Sequence, residues 1–395
     1  MYADFQVIFL SKTFKKTANI RIFNAFFERI WAETMDEKMR AGAFERTPRD
    51  EAKHKGVMIL PTIKDVARYA CVSDTTVSKV LNNKGSISDE TKNRVMEAVE
   101  KLDYIPNSAA RALVRKKTDI IGVVLEKLVD PFYYDLLQGI EEGIADENYK
   151  LVYCNSGGSG LKRQEYINYL RQGFVDGVII YGSYFSDEGI IRDLAQTKFP
   201  ILVIENEYKD LDIDNLLIDN VSGAVEAVQY LINKGYTRIA HIVGNPNIKI
   251  SIDRMIGYTT AMRAASLIIE EEYVVHSKMT YKSGYESMMK LLSLDSSKRP
   301  TAVFCVDDAV ACGAIDAICD RGLKVPDDVA IVGFDDQKIL PPDRKHIIPL
   351  TTVRQPLFDI GRDSIKTLVE TINNPNKAKV KKLYQTELIV RESTK

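Results

Sequence analysis

Polar side chains suited to contacting DNA are concentrated in one short stretch, residues 74–82. The stretch reads DTTVSKVLN, and its polar groups belong to Asp74, Thr75, Thr76, Ser78, Lys79 and Asn82. Hydroxyl groups can reach phosphates or base edges, and a lysine can reach the O6 and N7 atoms of guanine. Most of these residue types are poor helix formers. We therefore predict a helix that Val77, Val80 and Leu81 hold from beneath and whose polar face binds DNA.

Three helices are predicted to position this stretch. Thr62, followed by Asp65, has the pattern of a capping box, and Ser73 and Ser88 are suited to capping the second and third helices. The polar stretch is the second helix, and it follows the first after a short turn that contains Cys71. This order predicts a helix-turn-helix, and a purely structural three-helix domain is the alternative.

The distribution of charge separates a small basic part of the chain from a larger acidic part. The 395 residues carry a net charge of −1, yet residues 62–118 hold 11 Lys and Arg against 7 Asp and Glu. Residues 119–395 hold 32 against 40. This asymmetry permits a polyanionic partner at the basic part, and charge alone does not establish one.

From residue 119 onward, short apolar runs alternate with helical patterns. Seven such runs lie at 120–125, 150–155, 177–182, 200–205, 238–244, 301–306 and 329–334. They predict parallel strands that are buried on both faces and covered by helices. The segments 350–355 and 383–391 look like returning strands. These strands are more than one mononucleotide-type sheet contains. We therefore predict two doubly wound α/β lobes with a ligand at the carboxyl ends of their strands.

Several classes of protein are disfavoured by the sequence. No apolar run approaches the roughly 20 residues of a membrane span, and the start of the chain lacks signal-peptide features. The five cysteines lack metal-site spacing. Acidic pairs at 307–308 and 335–336 offer the residue types that glycosidases use, but adjacent side chains generally point apart. Because no Walker loop, nucleophile elbow or metal-ligand cluster is present, we expect a protein that is not an enzyme and has no cofactor or metal. The scattered cysteines favour buried thiols in a reducing cytoplasm.

Four stretches together resemble the LacI/GalR family of bacterial transcription regulators. They are TIKDVARYACVSDTTVSKVLN at 62–82, YIPNSAARAL at 104–113, LKVPDDVAIVGFDD at 323–336 and LTTVRQP at 350–356. The resemblance extends from residue 62 to about residue 393. It implies a sequence-specific transcriptional regulator, expected to be a repressor, whose operator affinity is controlled by a small effector such as a sugar or sugar derivative. A protein co-regulator, such as a phosphocarrier protein, is the alternative.

The resemblance implies DNA contacts at the second helix and at a hinge helix. The base-contacting positions match Asp74, Thr75 and Lys79, and the backbone-contacting positions match Thr76, Ser78 and Asn82. The hinge helix would enter the minor groove, and its DNA-binding residues would be Asn107, Ala110, Arg111 and Leu113. Leu113 would act as a wedge between base steps. Because two subunits would pair their hinges, we expect a homodimer on a near-palindromic operator. Cys71 stands where the family most often has glycine.

The acidic part resembles the type I periplasmic-binding-protein fold, with the effector between its lobes. The expected effector-binding residues are Phe132, Tyr133, Asn155, Arg254, Asp308 and Asp336. Aromatic rings can stack on a sugar, and a carboxylate with an arginine can pair with hydroxyl groups. The alternatives are core packing for the two aromatic residues, a surface ion pair for Arg254, and capping or hinge roles for Asp308 and Asp336. Asp335 is the alternative to Asp336 as an effector-binding residue.

The predicted fold is thus an all-α helix-turn-helix domain with a hinge helix, followed by two doubly wound parallel α/β lobes. The expected segments are an extension at 1–57, the DNA-binding domain at 58–105, the hinge and linker at 106–118, and the effector-binding domain at 119–395. The extension is either an unrelated segment or the product of a misassigned start, since Met58 lies just before the first helix. The expected N-lobe comprises about 119–220 and 350–376, and the expected C-lobe about 221–349 and 377–395.

Overall fold

A computed structural model of the chain describes residues 61–106, 112, 115–182 and 184–395. These residues form two compact units, one within 1–107 and one within 108–395. The expected extension and the hinge residues Asn107, Ala110, Arg111 and Leu113 lie outside the described residues. Within the described ranges, no helix combines the length and the apolar character that crossing a membrane requires.

The first unit is a bundle of three helices, as predicted: α1 (Ile63–Tyr69), α2 (Asp74–Leu81) and α3 (Asp89–Lys101). The carboxylate of Asp65 accepts from the N–H and the hydroxyl of Thr62, at 2.9 and 2.8 Å. Ser73 and Ser88 cap the next two helices, each accepting from the backbone N–H three residues later. The buried core consists of Val66, Ala67, Ala70, Val77, Val80, Val95, Ala98 and Tyr104.

The second unit contains two lobes, of which the first, here called the N-lobe, is built on six parallel strands. They are β1 (Ile120–Leu125), β2 (Lys150–Asn155), β3 (Gly177–Gly182), β4 (Ile201–Glu205), β5 (Asp214–Ile218) and β11 (Lys381–Tyr384). Their order in the sheet is β11-β5-β4-β3-β1-β2. The chain therefore winds outward in both directions from the middle of the sheet, which is the predicted doubly wound topology.

The second lobe, here called the C-lobe, repeats this plan. Its strands are β6 (Ile239–Val243), β7 (Val274–His276), β8 (Ala302–Cys305), β9 (Ala330–Asp335), β10 (Thr351–Arg354) and β12 (Glu387–Ile389). The order is β12-β10-β9-β8-β6-β7, and β12 alone runs antiparallel to its neighbour. In both lobes the carboxyl ends of the parallel strands meet at one edge of the sheet, where ligands bind in this class of fold.

Eight described helices cover the two sheets. They are α4 (Tyr134–Ile144), α5 (Gly160–Leu170), α6 (Glu188–Gln196), α7 (Asn220–Asn233), α8 (Lys249–Ala264), α9 (Tyr281–Leu292), α10 (Asp308–Asp320) and α11 (Leu357–Asn373). The pair of α4 and α11 packs closely, because a Cβ at Gly139 would lie only 2.0 Å from the carbonyl oxygen of Phe358. Glycine is therefore required for this helix contact.

The structure corrects the expected lobe boundaries. The segment 350–376 was expected in the N-lobe, but β10 pairs with β9 in the C-lobe sheet, and only the following helix α11 packs on the N-lobe core. The segment 377–395 was expected in the C-lobe, but β11 pairs with β5 in the N-lobe sheet. The chain thus crosses between the lobes three times, because each sheet recruits one strand from the end of the chain.

Two strands were missed, one was misjudged, and the segment 383–391, predicted as one strand, includes parts of two, β11 and β12, which lie in different sheets. β5 begins with Asp214 and Asn215, which are both fully buried. Because these two residues are polar, the sequence shows only a short apolar run at this strand. β7 has only three residues and lies at the edge of its sheet. β2 is also an edge strand and its residues are partly exposed, which corrects the expectation of burial on both faces.

Candidate functional site

Helix α2 presents the polar face expected of a DNA-reading helix. Val77 and Val80 are buried beneath it, while Asp74, Thr75 and Lys79 are exposed. The Ser73 cap fixes the start of the helix through a 3.1 Å hydrogen bond from the backbone N–H at position 76. The three exposed side chains are therefore displayed on a helix that its apolar underside and its cap hold in place.

The three other polar residues of α2 have local partners. The hydroxyl groups of Thr76 and Ser73 are 2.9 Å apart, and both Thr76 and Ser78 are half-buried. Asn82 is the C-terminal capping residue, and its Nδ2 donates to the carbonyl oxygen of Ser78 at 2.7 Å. These residues thus combine a structural role with polar atoms near the reading face.

Cys71 takes the left-handed backbone conformation in the turn between the two helices. Its φ angle is 52°, in the region where a Cβ is strained by roughly 1–2 kcal/mol. The turn is closed by a 3.0 Å hydrogen bond from the N–H of Val72 to the carbonyl oxygen of Ala67. The caps and core of the first unit therefore hold a conformation that glycine would adopt at lower cost.

The second unit contains a cavity of about 400 Å³ between its lobes, at the carboxyl ends of the strands. The N-lobe wall includes Glu126, Asp130, Phe132, Tyr133, Tyr181 and Glu205. The C-lobe wall includes Arg254, Lys278, Asp307, Asp335 and Gln337. The volume is that of a small-molecule site, and the mixture of rings and charged groups suits a polar ligand.

Three aromatic rings form one wall of the cavity. The centroids of Phe132 and Tyr133 are 5.1 Å apart with planes at 73°, and those of Tyr133 and Tyr181 are 5.3 Å apart with planes at 90°. Such edge-to-face contacts hold each ring in a fixed orientation. Tyr133 and Tyr181 are only 6 % exposed, so the wall is rigid and already formed.

Arg254 lies at the floor of the cavity and is 1 % exposed. Its Nε donates to Oδ1 of Asn220 at 3.0 Å, its Nη2 to Oδ1 of Asp335 at 3.1 Å, and its Nη1 to the carbonyl oxygen of Val306. The guanidinium carbon lies 3.7 Å from the centroid of the Phe334 ring. Arg254 is thus a buried, neutralised cation that joins three segments of the chain, and it is not the surface ion pair considered from the sequence.

Three buried carboxylates share this floor. Burial raises the pKa of Glu205 to about 7, that of Asp335 to about 7 and that of Asp307 to about 6, although the Arg254 charge opposes each rise. Glu205 accepts from the hydroxyl of Tyr181 and from Nδ2 of Asn220, both at 3.3 Å. Such long hydrogen bonds leave lone pairs on these oxygens for a ligand that donates.

Contacts between the lobes border the cavity. A backbone bridge joins Tyr184 of the N-lobe to Ile248 of the C-lobe, and both residues line the cavity. Nζ of Lys338, from the C-lobe, lies 4.0 Å from a carboxylate oxygen of Asp135 in α4. A ligand between the lobes would therefore act on contacts that also hold the lobes together.

The structure places the six sequence-predicted effector residues unequally. Phe132, Tyr133 and Arg254 line the cavity, whereas Asn155, Asp308 and Asp336 are not among its lining residues. Asn155 is exposed at the end of β2, where its Oδ1 accepts from the N–H of Gly157. It lies outside the cavity lining because β2 is the edge strand of the sheet, and its contact with an effector hydroxyl stays a prediction.

In each acidic pair, the carboxylate that lines the cavity is the one next to the residue that we predicted from the sequence. Asp307 lines it and caps α10, accepting from the N–H of Val310 at 2.7 Å. Asp308 accepts from Oγ1 of Thr352 at 2.6 Å and from the N–H of Gln337 at 2.8 Å, and it is not among the lining residues. Helix capping, the alternative role considered for Asp308, therefore belongs to its neighbour, and contact between Asp308 and an effector stays a prediction.

The second acidic pair shows the same alternation. Asp335 lines the cavity, while Asp336 accepts from Arg354 and Arg391 on the other side of its strand. Burial raises the pKa of Asp336, but the two arginines outweigh it and hold the pKa below its usual value. Asp336 is thus not among the lining residues, because successive residues at the end of a strand point to opposite faces, and its contact with an effector stays a prediction.

Tyr181 and Glu205 were missed in the sequence analysis. Each is a polar residue at the carboxyl end of a predicted apolar strand, GVIIYG and PILVIE respectively. That position was a usable signal, because the carboxyl ends of the strands are where ligands bind. Among the described residues, no group of three or more His, Cys, Asp or Glu side chains is arranged to hold a metal ion.

Comparisons with known proteins identify both parts of the chain. Residues 62–107 match the model of bacterial regulatory proteins of the lacI family, and residues 228–394 match the model of a periplasmic binding protein-like domain. The HTH-type transcriptional regulator DegA of Bacillus subtilis (strain 168) is 36% identical over 335 residues, which cover 84% of this chain and 98% of DegA.

Solved structures agree with this assignment. The lac repressor dimer bound to operator and the anti-inducer ONPF is 26% identical, with a TM-score of 0.73 over 85% of this chain and 99% of the repressor chain. The complex of the transcriptional regulator CelR with cellobiose is 29% identical, with a TM-score of 0.63 over 84% of this chain and 99% of the other.

Proposed function

This chain belongs to the lacI family of bacterial regulatory proteins and is a DNA-binding transcriptional repressor, and on that premise we propose that a small carbohydrate or carbohydrate derivative controls its affinity for DNA. The observation that carries the proposal is the cavity of about 400 Å³ with an aromatic wall and a floor of hydrogen-bonding acids. Rings that stack and carboxylates that accept hydrogen bonds suit the two faces of a sugar. The similarity to CelR, whose structure contains cellobiose, supports this ligand class.

Helix α2 reads the operator in this proposal. Asp74, Thr75 and Lys79 contact base edges, because they are the exposed polar residues at the start and on the outer side of the helix. Thr76, Ser78 and Asn82 contact the DNA backbone in addition to their local hydrogen bonds. Lys79 would bind guanine, and the Asp74 carboxylate would accept from the N4 amino group of cytosine, since phosphates repel it.

The hinge residues supply a second group of DNA contacts. Asn107, Ala110, Arg111 and Leu113 enter the minor groove at the operator centre, and Leu113 opens a base step there. Two subunits present two hinges, so the proposed regulator is a homodimer that acts in the cytoplasm on a near-palindromic operator. The similarity to the lac repressor dimer on its operator supports this assembly.

Ligand control follows from the position of the cavity between the lobes. A ligand that contacts the floor and the aromatic wall favours the arrangement of the lobes in which both contacts are made. The Tyr184–Ile248 bridge and the Lys338–Asp135 contact lie in the path of this change. No feature of the described residues favours a protein co-regulator, such as a phosphocarrier protein, over a ligand in this cavity.

Calorimetry of the full-length protein with a panel of carbohydrates tests the site. We expect at least one sugar to bind with one site per subunit and to raise the melting temperature, because a ligand that binds only the folded state stabilises it. Arg254→Gln should abolish this binding, whereas Arg263→Gln, at an exposed position of the same helix α8, should preserve it. Thermal melts of both variants establish that each is folded. Equal binding by the folded Arg254→Gln variant would contradict the proposed site.

A further inference from the structure

The charges on the cavity wall are unequally distributed. Five carboxylates line it, against the three basic residues Arg254, Lys127 and Lys278. Both lysines are exposed, whereas Glu205, Asp307 and Asp335 are 4–8 % exposed. The desolvated floor therefore holds three carboxylates and one guanidinium, and the remaining basic groups lie where water screens them.

The one buried cation is already engaged. Arg254 uses three of its five N–H groups on Asn220, Val306 and Asp335, and its flat face lies on the ring of Phe334. Its charge is balanced by the Asp335 carboxylate at 3.1 Å. An anionic ligand would therefore have to compete with Asp335 for this guanidinium, while Glu205 and Asp307 repelled it.

The carboxylates have the opposite character, since they can accept more hydrogen bonds than they receive. An ionised carboxylate offers about four acceptor positions. The structure gives Glu205 two long hydrogen bonds of 3.3 Å, and gives Asp307 a 2.7 Å bond from the N–H of Val310. Hydroxyl groups of a ligand would complete these acceptors, and phosphate oxygens cannot, because they carry no proton to donate when ionised.

Resting on the proposed function, we infer that the cavity selects uncharged, polyhydroxylated ligands and rejects their phosphorylated or carboxylated derivatives. Glu205 and Asp307 are the specificity-determining residues, one on each lobe. A phosphate carries a charge of −1.5 to −2 at pH 7, and like charges a few ångströms apart in a buried site repel strongly. The expected discrimination between an uncharged sugar and its phosphate is on the order of 100-fold or more.

Matched sets of ligands test this inference by calorimetry on the full-length protein at pH 8. This pH lies above the pKa values of about 7 and about 6 that Glu205 and Asp307 have in the folded protein, so both are ionised. Each set consists of an uncharged sugar with its phosphate, acid and amino derivatives. The first set is glucose, glucose 6-phosphate, glucuronate and glucosamine, and the second is galactose with the corresponding derivatives. The panel also includes cellobiose and the pair of ribose and ribose 5-phosphate. We expect the uncharged sugars to bind and their phosphates and acids to bind about 100-fold more weakly or worse. The amino derivatives should bind no more than 10-fold tighter than their parents. Glu205→Gln and Asp307→Asn should reduce the discrimination against the phosphates at least 10-fold, whereas Glu165→Gln, an exposed acid on α5, should leave it unchanged.

The possible outcomes distinguish a failure of the charge selectivity from a failure of the proposed ligand control. A phosphate or an acid that binds as tightly as its uncharged parent overturns the charge selectivity and leaves ligand control intact. An amino sugar that binds more than 10-fold tighter than its parent also overturns it, because the cavity would then be a cation site. Failure of every carbohydrate to bind, with operator affinity unaffected by all of them, overturns the proposed function and this inference with it.

Discussion

Replacing Glu205 by glutamine should change how the stability of the protein depends on pH. Burial raises the pKa of Glu205 from 4.5 to about 7, against the Arg254 and Lys249 charges, which lower it, and the Asp253 charge, which raises it further. A raised pKa means that the folded protein holds a proton that the unfolded chain releases. The contribution to stability is therefore complete below pH 4.5 and is lost as the pH rises through about 7.

The size of this effect follows from the two pKa values. Each tenfold change in proton affinity is worth about 1.4 kcal/mol, so ionising Glu205 in the folded state costs about 3 kcal/mol. Between pH 5 and pH 8, the wild-type protein should lose about 2.5 kcal/mol of unfolding free energy that the Glu205→Gln variant retains. Any penalty of the substitution that is independent of pH cancels in this comparison.

Denaturant unfolding of the ligand-free protein at pH 5, 6, 7 and 8 measures the difference. Unfolding is followed by far-UV circular dichroism. Glu165→Gln serves as the exposed control, for which the difference in unfolding free energy from wild type should be the same at every pH. If the difference in unfolding free energy between Glu205→Gln and wild type is also the same at every pH, the reasoning is refuted. Glu205 would then titrate in the folded protein as it does in the unfolded chain.

The remaining predictions concern DNA. Lys79→Ala should weaken binding to the operator by roughly 10- to 100-fold and change the affinity for random DNA by only a few-fold, because the lysine contacts a base. An unchanged ratio of operator affinity to random-DNA affinity in a gel-shift assay would contradict this. Asp74→Ala should alter the ranking of operator variants in a binding-selection library, and an identical ranking would argue against base contact. Leu113→Ala should weaken operator binding and keep ligand affinity, since the wedge acts only on DNA; a large loss of ligand affinity in calorimetry would remove the basis for this division of roles.

The three-helix unit was predictable because its signals are local. Ser73 and Ser88 accept from backbone N–H groups three residues later, and Asp65 accepts from the N–H of Thr62 three residues earlier. Such short-range pairs mark helix starts without any knowledge of the tertiary structure. The bounds of β1, β2 and β3 likewise coincide with apolar runs read from the sequence. The resemblance to the family added the order of the parts and the position of the cavity.

The errors arose where distant segments meet. Pairing of β10 with β9 and of β11 with β5 depends on contacts between residues far apart in the chain, which no local pattern encodes. The choice between Asp307 and Asp308 depends on which carboxylate faces the cavity as a strand passes into a helix. One residue of shift reverses the direction of a side chain, so a motif locates such a pair more reliably than the member that binds.

The central claim, that a ligand in the cavity controls binding to DNA, is tested most directly by measuring operator affinity with and without a saturating carbohydrate. The operator is first selected from random duplexes, and the ligand is one found by calorimetry. We predict a change in operator affinity of about 5- to 150-fold, with the same factor in ligand affinity when operator is present, because coupling between two sites is reciprocal. Arg254→Gln should remove the change. An operator affinity that stays the same while calorimetry shows the cavity fully occupied would contradict the account.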